Sequence, residues 1–151
     1  MNMEILAKLL AFPLLVLMLV WVNTAPADMV LIANAKISVA SISREEVINI
    51  YMGRLRQMPS GAAAQPLDLP SDSEEKALFY RLLVNKEMAD IDSYWARLIF
   101  SGRASPPRGV ADQKAVLESV ASDPNTIGYV ERSVADKRVK IILELQPKGG
   151  K

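Results

Sequence analysis

The segment SREEVINIYMG, residues 43–53, predicts an amphipathic helix with both of its ends defined. Ser43 and Glu46 have the spacing of a capping box, in which the serine side chain caps the backbone and the glutamate reaches back. Apolar residues then recur at helical spacing, and Gly53 suits the left-handed residue that ends many helices. The segment therefore predicts a helix with one apolar side on a core.

Strands and helices alternate on either side of this helix. Continuous or alternating apolar runs predict strands at 29–33, 66–69, 127–130 and 139–145, the last with one wetter face. Residues 71–75 have the pattern of a helix start and lead into a helix with one apolar stripe. A second helix with an apolar stripe ends at Gly102, and Asp112 caps a further helix. The two stripes are Leu78, Phe79, Leu82 and Leu83, and Ile91, Tyr94, Trp95, Leu98 and Ile99. The order β-α-β-α-α-α-β-β indicates an α/β sheet with packed helices.

The composition favours binding over catalysis. The chain has 151 residues, half of them apolar, which is typical of one globular domain. Its 18 basic and 17 acidic residues leave a net charge of +1, so nothing indicates nucleic-acid binding. Cysteine and histidine are absent, which excludes disulfides, thiolate or imidazole metal sites and Ser–His or Cys–His nucleophiles. We expect no cofactor and no metal site.

Residues 1–27 have the pattern of a signal peptide. Apart from Pro13, the run from Leu9 to Val22 consists of apolar side chains, shorter than the about 20 residues of a membrane-spanning helix. Ala25 and Ala27 supply the small residues that precede a cleavage site. We expect cleavage after Ala27, no stable membrane span afterwards, and a periplasmic or secreted domain over 28–145 with a flexible tail over 146–151. The alternative is that residues 5–22 are retained as a membrane anchor.

Three blocks carry a resemblance to a known family. SISREEVINIYMG (41–53) and PNTIGYV (124–130) resemble two motifs in the phosphate-binding proteins of ABC transporters. YWARLIFSG (94–102), followed by Pro106 and Pro107, resembles the small, single-lobe phosphate ABC transporter substrate-binding-like proteins. The resemblance implies a single periplasmic-binding-protein-like lobe of the second type, with a mixed sheet flanked by helices. Full members hold their ligand between two lobes, and this chain has the length of one.

The same resemblance marks Ser71, Ser73 and Lys76 as ligand-binding candidates. The family's phosphate loop reads approximately S-G-S-G-T-R, and the matching residues 71–76 read SDSEEK. Carboxylates replace both glycines and the threonine, and they would oppose a phosphate electrostatically. The alternative interpretation, which we favour, is that the serines or Asp72 cap a helix and Lys76 is solvated.

Arg97, Arg103 and Arg108 form the densest basic cluster, around the bend at Gly102. They could receive an anionic ligand, a lipid headgroup or an acidic partner, or they could form a solvated loop. Arg54 and Arg56 form a smaller basic patch.

Tyr94 and Trp95 could stack on a ligand, but their helical spacing favours the core.

The sequence thus favours a secreted solute-binding-protein-like module with a degenerate phosphate loop. Such a module could be linked to phosphate or anion ABC transport. The alternative is an envelope adaptor or structural protein that binds an envelope or transporter protein and no small ligand. An enzyme is disfavoured, because the S-x-x-K spacing of Ser73 and Lys76 lacks the partner motifs of the enzymes that use it.

We predict that export removes residues 1–27 and leaves Asp28 as the first residue. N-terminal sequencing of the exported chain should begin DMVLIA. Recovery of intact Met1 in a membrane pellet would show a retained anchor instead.

Overall fold

The computed structural model describes residues 28–146, so the predicted leader and the tail beyond Gln146 lie outside the described residues. The strands are β1 (Met29–Asn34), β2 (Gln65–Asp68), β3 (Arg108–Gly109), β4 (Thr126–Glu131) and β5 (Val139–Leu145). The helices are α1 (Arg44–Tyr51), α2 (Glu74–Val84), α3 (Met88–Phe100) and α4 (Gln113–Ser122), with a 3-10 turn at Arg132–Val134. Within this range, no helix has both the length and the apolar character needed to cross a membrane.

The five strands form one mixed sheet in the order β3-β2-β4-β1-β5. β1 pairs antiparallel with both β4 and β5, whereas β2 runs parallel to both β3 and β4. All six residues of β1 are buried, as expected for a central strand covered on both faces. The predicted α/β class and mixed sheet are confirmed.

Helices cover both faces of the sheet. Side chains alternate along β4, so Gly128 faces α4, where Val116 lies against it. The next residue, Tyr129, faces the opposite side and stacks on Phe79 of α2, with ring centroids 3.8 Å apart. Tyr51 of α1 packs on Phe79 at 4.7 Å. The core therefore lies on both sides of the sheet, with α4 on one face and α1 and α2 on the other.

The ends of α1 are those that the sequence predicts. Both hydrogen bonds of the capping box between Ser43 and Glu46 are present. Gly53 has a φ of +74°, a conformation that favours glycine. A β-carbon at Gly53 would also lie 2.8 Å from the ring of Trp95, so the same glycine lets α3 pack closely.

The alternation predicted for β5 is wrong in detail. Its pairing with β1 shifts between Leu31 and Ile32, which pair with Leu143 and Ile141 and leave Ile142 as an extra residue. A bulge of this kind breaks the two-residue period. Ile142 is buried as a result, although the alternation predicted it on the wetter face. The two-residue strand β3 has no apolar run and was not predicted.

In two helices, the buried side chains differ from those that the helical spacing predicts. In α2, Tyr80 is buried while Leu78 and Leu82 are only half-buried, because the Tyr80 hydroxyl binds a buried carboxylate described below. In α3, Trp95 is buried as predicted, but Ile99 is 55% exposed. Helical spacing predicts which side of a helix is apolar. It does not predict how much of that side the neighbouring elements cover.

We predict that Gly128→Ala destabilises the chain by about 1–3 kcal/mol, the usual cost of overpacking a core. The new β-carbon would lie 2.3 Å from Val116 Cγ1, so α4 or the sheet must shift. Urea unfolding followed by circular dichroism measures the change. Gly109→Ala is the matched control, because a β-carbon there meets nothing within 4 Å.

Adding Val116→Ala to Gly128→Ala should recover part of the loss, since it removes the clashing methyl group. Equal stabilities of Gly128→Ala and Gly109→Ala would contradict the close packing of α4 on β4.

Candidate functional site

The carboxyl ends of three parallel strands lie side by side at one edge of the sheet. Gln65 of β2 pairs with Thr126 of β4, and Asp68 of β2 pairs with Gly109 of β3. In open α/β sheets, ligands bind in the crevice beyond such carboxyl ends. The candidate site is therefore the segment that follows Asp68 and leads into α2.

Asp68 ends β2 with a buried carboxylate. Its Oδ1 accepts hydrogen bonds from the Tyr129 hydroxyl at 2.5 Å and from the Leu69 amide at 3.1 Å. Its Oδ2 accepts from the Tyr80 hydroxyl at 2.9 Å and lies 3.1 Å from Lys76 Nζ. The Asp68 and Lys76 side chains are only 8% and 14% exposed. The expectation that Lys76 is solvated is therefore wrong.

These four donors saturate the Asp68 carboxylate. An ionised carboxylate offers about four lone-pair positions, and Tyr129, Leu69, Tyr80 and Lys76 occupy them. The Lys76 cation also cancels its charge inside the protein, which a buried ion requires. No acceptor position of Asp68 remains for a ligand.

The tyrosines around Asp68 are held in the neutral state. Burial, reinforced by the nearby Asp68 charge, raises the pKa of Tyr80 and Tyr129 well above the ordinary value of about 10. The same two causes raise the pKa of Tyr51, whose hydroxyl donates to the Leu67 carbonyl at 3.1 Å. These hydroxyls act as hydrogen-bond donors that position β2 and not as bases.

The predicted ligand-binding serines lie in the loop before α2. Ser73 is the N-cap of α2, and its Oγ accepts from the backbone amide of Lys76 at 3.2 Å. Ser71 and Asp72 are exposed in the turn before it. The structure brings Ser73 and Lys76 together, but it uses both inside the protein, and the capping interpretation of Ser73 is confirmed.

Ser73 and Lys76 do not form a nucleophile and a base. The contact between them runs from the Lys76 backbone amide to Ser73 Oγ, while the Lys76 ammonium lies on Asp68. A lysine that carries its charge in an ion pair has no lone pair with which to accept the serine proton.

Carboxylates occupy the N-terminal end of α2. Glu74, Glu75 and Glu131 line one surface cavity together with Arg81. Glu75 also accepts from Gln113 Nε2 at 3.3 Å, which connects α2 to α4. The positive end of the helix dipole is therefore met by the protein's own acids.

Asp68, Tyr80 and Tyr129 were not predicted as a site. Tyr129 lies 61 residues from Asp68 and meets it through the parallel pairing of β2 with β4, while Tyr80 reaches it from α2. No local motif encodes these contacts. The usable signal was an aspartate at the end of a predicted strand, where apolar residues are expected.

The structure places the predicted arginines at two different cavities. Arg97 and Arg103 line one cavity with Tyr94. Arg108 of β3 lines another, together with Arg56. The three arginines are close in sequence around Gly102, but they do not line a common cavity.

Arg97 also lines a second cavity, between α1 and α3. Arg54 and Lys86 contribute to this cavity of ≈ 380 Å³, and Asp90 is the carboxylate that lines it. Tyr94 is half-buried at the same place and donates to the Met52 carbonyl at 2.6 Å.

Solved structures of similar fold were found by structural comparison. The chain is similar to an ABC-type phosphate transport receptor from Vibrio cholerae (TM-score 0.61, 17% identity, 76% of this chain and 45% of that one). It is also similar to a putative phosphate ABC transporter substrate-binding protein with bound phosphate from Clostridium perfringens (TM-score 0.60, 15% identity, 76% of this chain and 44% of that one). A third similar structure is PstS from Borrelia burgdorferi (TM-score 0.57, 18% identity, 81% of this chain and 47% of that one).

The chain has a periplasmic-binding-protein-like fold. The predicted resemblance to phosphate ABC transporter substrate-binding proteins is confirmed at the level of structure, and the similar structures are binding proteins and receptors. The chain spans less than half the length of each of them. No family model and no curated protein matches the sequence.

We predict that the three buried tyrosines make the fold sensitive to alkali. Above the unfolded pKa of about 10, the unfolded chain releases protons that Tyr51, Tyr80 and Tyr129 retain when folded, so stability falls as the pH rises. Each tyrosine should contribute a loss of about 1.4 kcal/mol per pH unit, measured by urea unfolding between about pH 10 and 11.5.

Tyr51→Phe provides the control for this slope. It removes one titrating group and leaves the Asp68 network in place, so the decline should become shallower by about 1.4 kcal/mol per pH unit. Equal slopes in the two proteins would mean that Tyr51 ionises within the folded chain.

Proposed function

We propose that the chain is a secreted, solute-binding-protein-like module linked to phosphate or anion ABC transport, and that its loop before α2 does not bind phosphate. The similar structures and the apolar leader with its Ala25–Ala27 cleavage pattern support the first part. The second part rests on how the loop's own polar groups are used.

The observation that carries the proposal is the ion pair between Lys76 and Asp68. A phosphate at the start of α2 would need the Lys76 ammonium and the Ser73 hydroxyl, the candidates from the family resemblance. Lys76 is committed to Asp68 at 3.1 Å, and Ser73 Oγ caps the helix. Breaking a buried ion pair costs about 3–5 kcal/mol, which is comparable to the whole binding energy of a millimolar ligand.

The charges around the loop also oppose an anion. Asp72 and Glu74 are exposed next to Ser73, and Glu75 follows in the first turn of α2. Acids at the N-terminus of a helix stabilise the helix itself, and they repel a second anion at the same place.

A second candidate function is an envelope adaptor that binds a protein partner. Phe100 at the end of α3 is the observation that favours it, because its side chain is 95% exposed, Arg97 and Arg103 lie three residues to either side, and phenylalanine and arginine are enriched at protein interfaces.

Thermal melting with added anions tests the proposal. We expect no shift with 10 mM phosphate at matched ionic strength, whereas a ligand at about 100 times its Kd stabilises a fold by about 2.7 kcal/mol. The C. perfringens protein with bound phosphate serves as the positive control. Sulfate and a panel of organic anions extend the test to other solutes.

The outcomes separate the candidates. A rise in melting temperature with phosphate that disappears in Ser73→Ala/Lys76→Ala would overturn the proposal and assign a phosphate site to the loop before α2. A shift with another anion would support the solute-binding module and name its ligand class. No shift with any anion would favour the adaptor.

A further inference from the structure

Two cavities along α3 share Tyr94 and Arg97 and so lie next to each other along the helix. One cavity lies toward the start of α3 and includes Arg54 and Lys86. The other lies toward its end and includes Arg103. We call this surface the α3 groove.

Four cations of the α3 groove have no ion-pair partner in the part of the chain that the structure describes. Within residues 28–146, Arg54, Lys86, Arg97 and Arg103 form no ion pair, whereas Arg81, Arg132 and Arg138 all do. Asp90 is the carboxylate that lines the groove. The groove therefore has a surplus of positive charge that no ion pair within the described residues neutralises.

Its base and its end are apolar. Ile91 and Met52 are buried beneath the cations. Phe100, the last residue of α3, lies beside the groove, three residues after Arg97, and is 95% exposed. An exposed aromatic beside arginines is the composition of an interface hot spot.

The length of the groove argues for an extended occupant. Lys86 precedes α3 and Arg103 follows it, and a helix of 13 residues is about 20 Å long. A single phosphate cannot reach cations at both ends. An extended peptide of about six residues spans this length.

We propose that the α3 groove binds an acidic, partly apolar segment of a partner protein. Its carboxylates face Arg54, Lys86, Arg97 and Arg103, and an apolar side chain covers Phe100. The choice of a polypeptide over a small anion follows from the spread of the four cations along the groove. The inference gives a site to the adaptor alternative and does not depend on whether the loop before α2 binds phosphate.

Fluorescence anisotropy with a rhodamine-labelled, eight-residue peptide of alternating glutamate and leucine tests this site on the purified chain. We expect saturable binding that Arg97→Gln/Arg103→Gln weakens about tenfold or more. Lys114→Gln/Lys137→Gln is the matched control, because both lysines are exposed and lie outside the groove. It should change the affinity less than about twofold.

Phe100→Ser gives a second, independent readout. Since Phe100 is almost fully exposed, its loss should leave the melting temperature unchanged while weakening the peptide about fivefold. Melting curves of every variant show whether the fold is intact. Raising NaCl from about 50 to 300 mM should weaken binding of the peptide to the unchanged protein, because exposed charges are screened.

Four results would overturn the proposal. These are no saturable binding, equal affinity of the two glutamine double variants, equal binding of a lysine–leucine peptide, or full displacement by 10 mM phosphate. Binding to phosphatidylglycerol vesicles without binding to the peptide would assign the surface to a membrane and also overturn it. The phosphate melt reports on the loop before α2, so the two proposals fail separately.

Discussion

The ion pair between Asp68 and Lys76 joins the parts of the molecule that surround the candidate site. It connects the end of β2 to the first turn of α2, and the tyrosine hydroxyls on the same carboxylate add a second contact to α2 and one to β4. A buried charge without its partner is strongly unfavourable, so these elements are held together as a unit. The Ser73 hydroxyl and the Lys76 ammonium, two of the expected ligand-binding groups, are thereby used inside the protein.

Much of the fold could be predicted because its signals are local. The capping box at Ser43 and Glu46, the cap at Asp112 and the buried run of β1 each lie within a few residues, and each appears as predicted. The bulge at Ile142 and the short strand β3 depend instead on how a strand pairs with a distant neighbour. Such pairing leaves no periodic pattern in the strand itself.

The candidate site was less accessible to sequence reasoning for the same reason. Asp68 and Tyr129 are 61 residues apart and meet only through strand pairing. Lys76 was expected in solvent because no local motif links it to Asp68, which the turn between β2 and α2 brings within 3.1 Å of it. The arginines show the opposite case, since Arg97 and Arg108 are close in sequence and line different cavities. The residue types indicated which side chains could bind an anion. The topology of the fold determined which of these side chains lie close together.

The position of β1 in the sheet also bears on when the chain can fold. β1 is the first described strand, yet its two partners, β4 and β5, follow all the other described strands. Until residues 126–145 have been synthesised, the buried interior strand β1 has nothing to pair with, and pairing over such separations is slow. The sheet therefore cannot be completed before β4 and β5 have been synthesised, and a chain whose sheet is incomplete can still be threaded across a membrane.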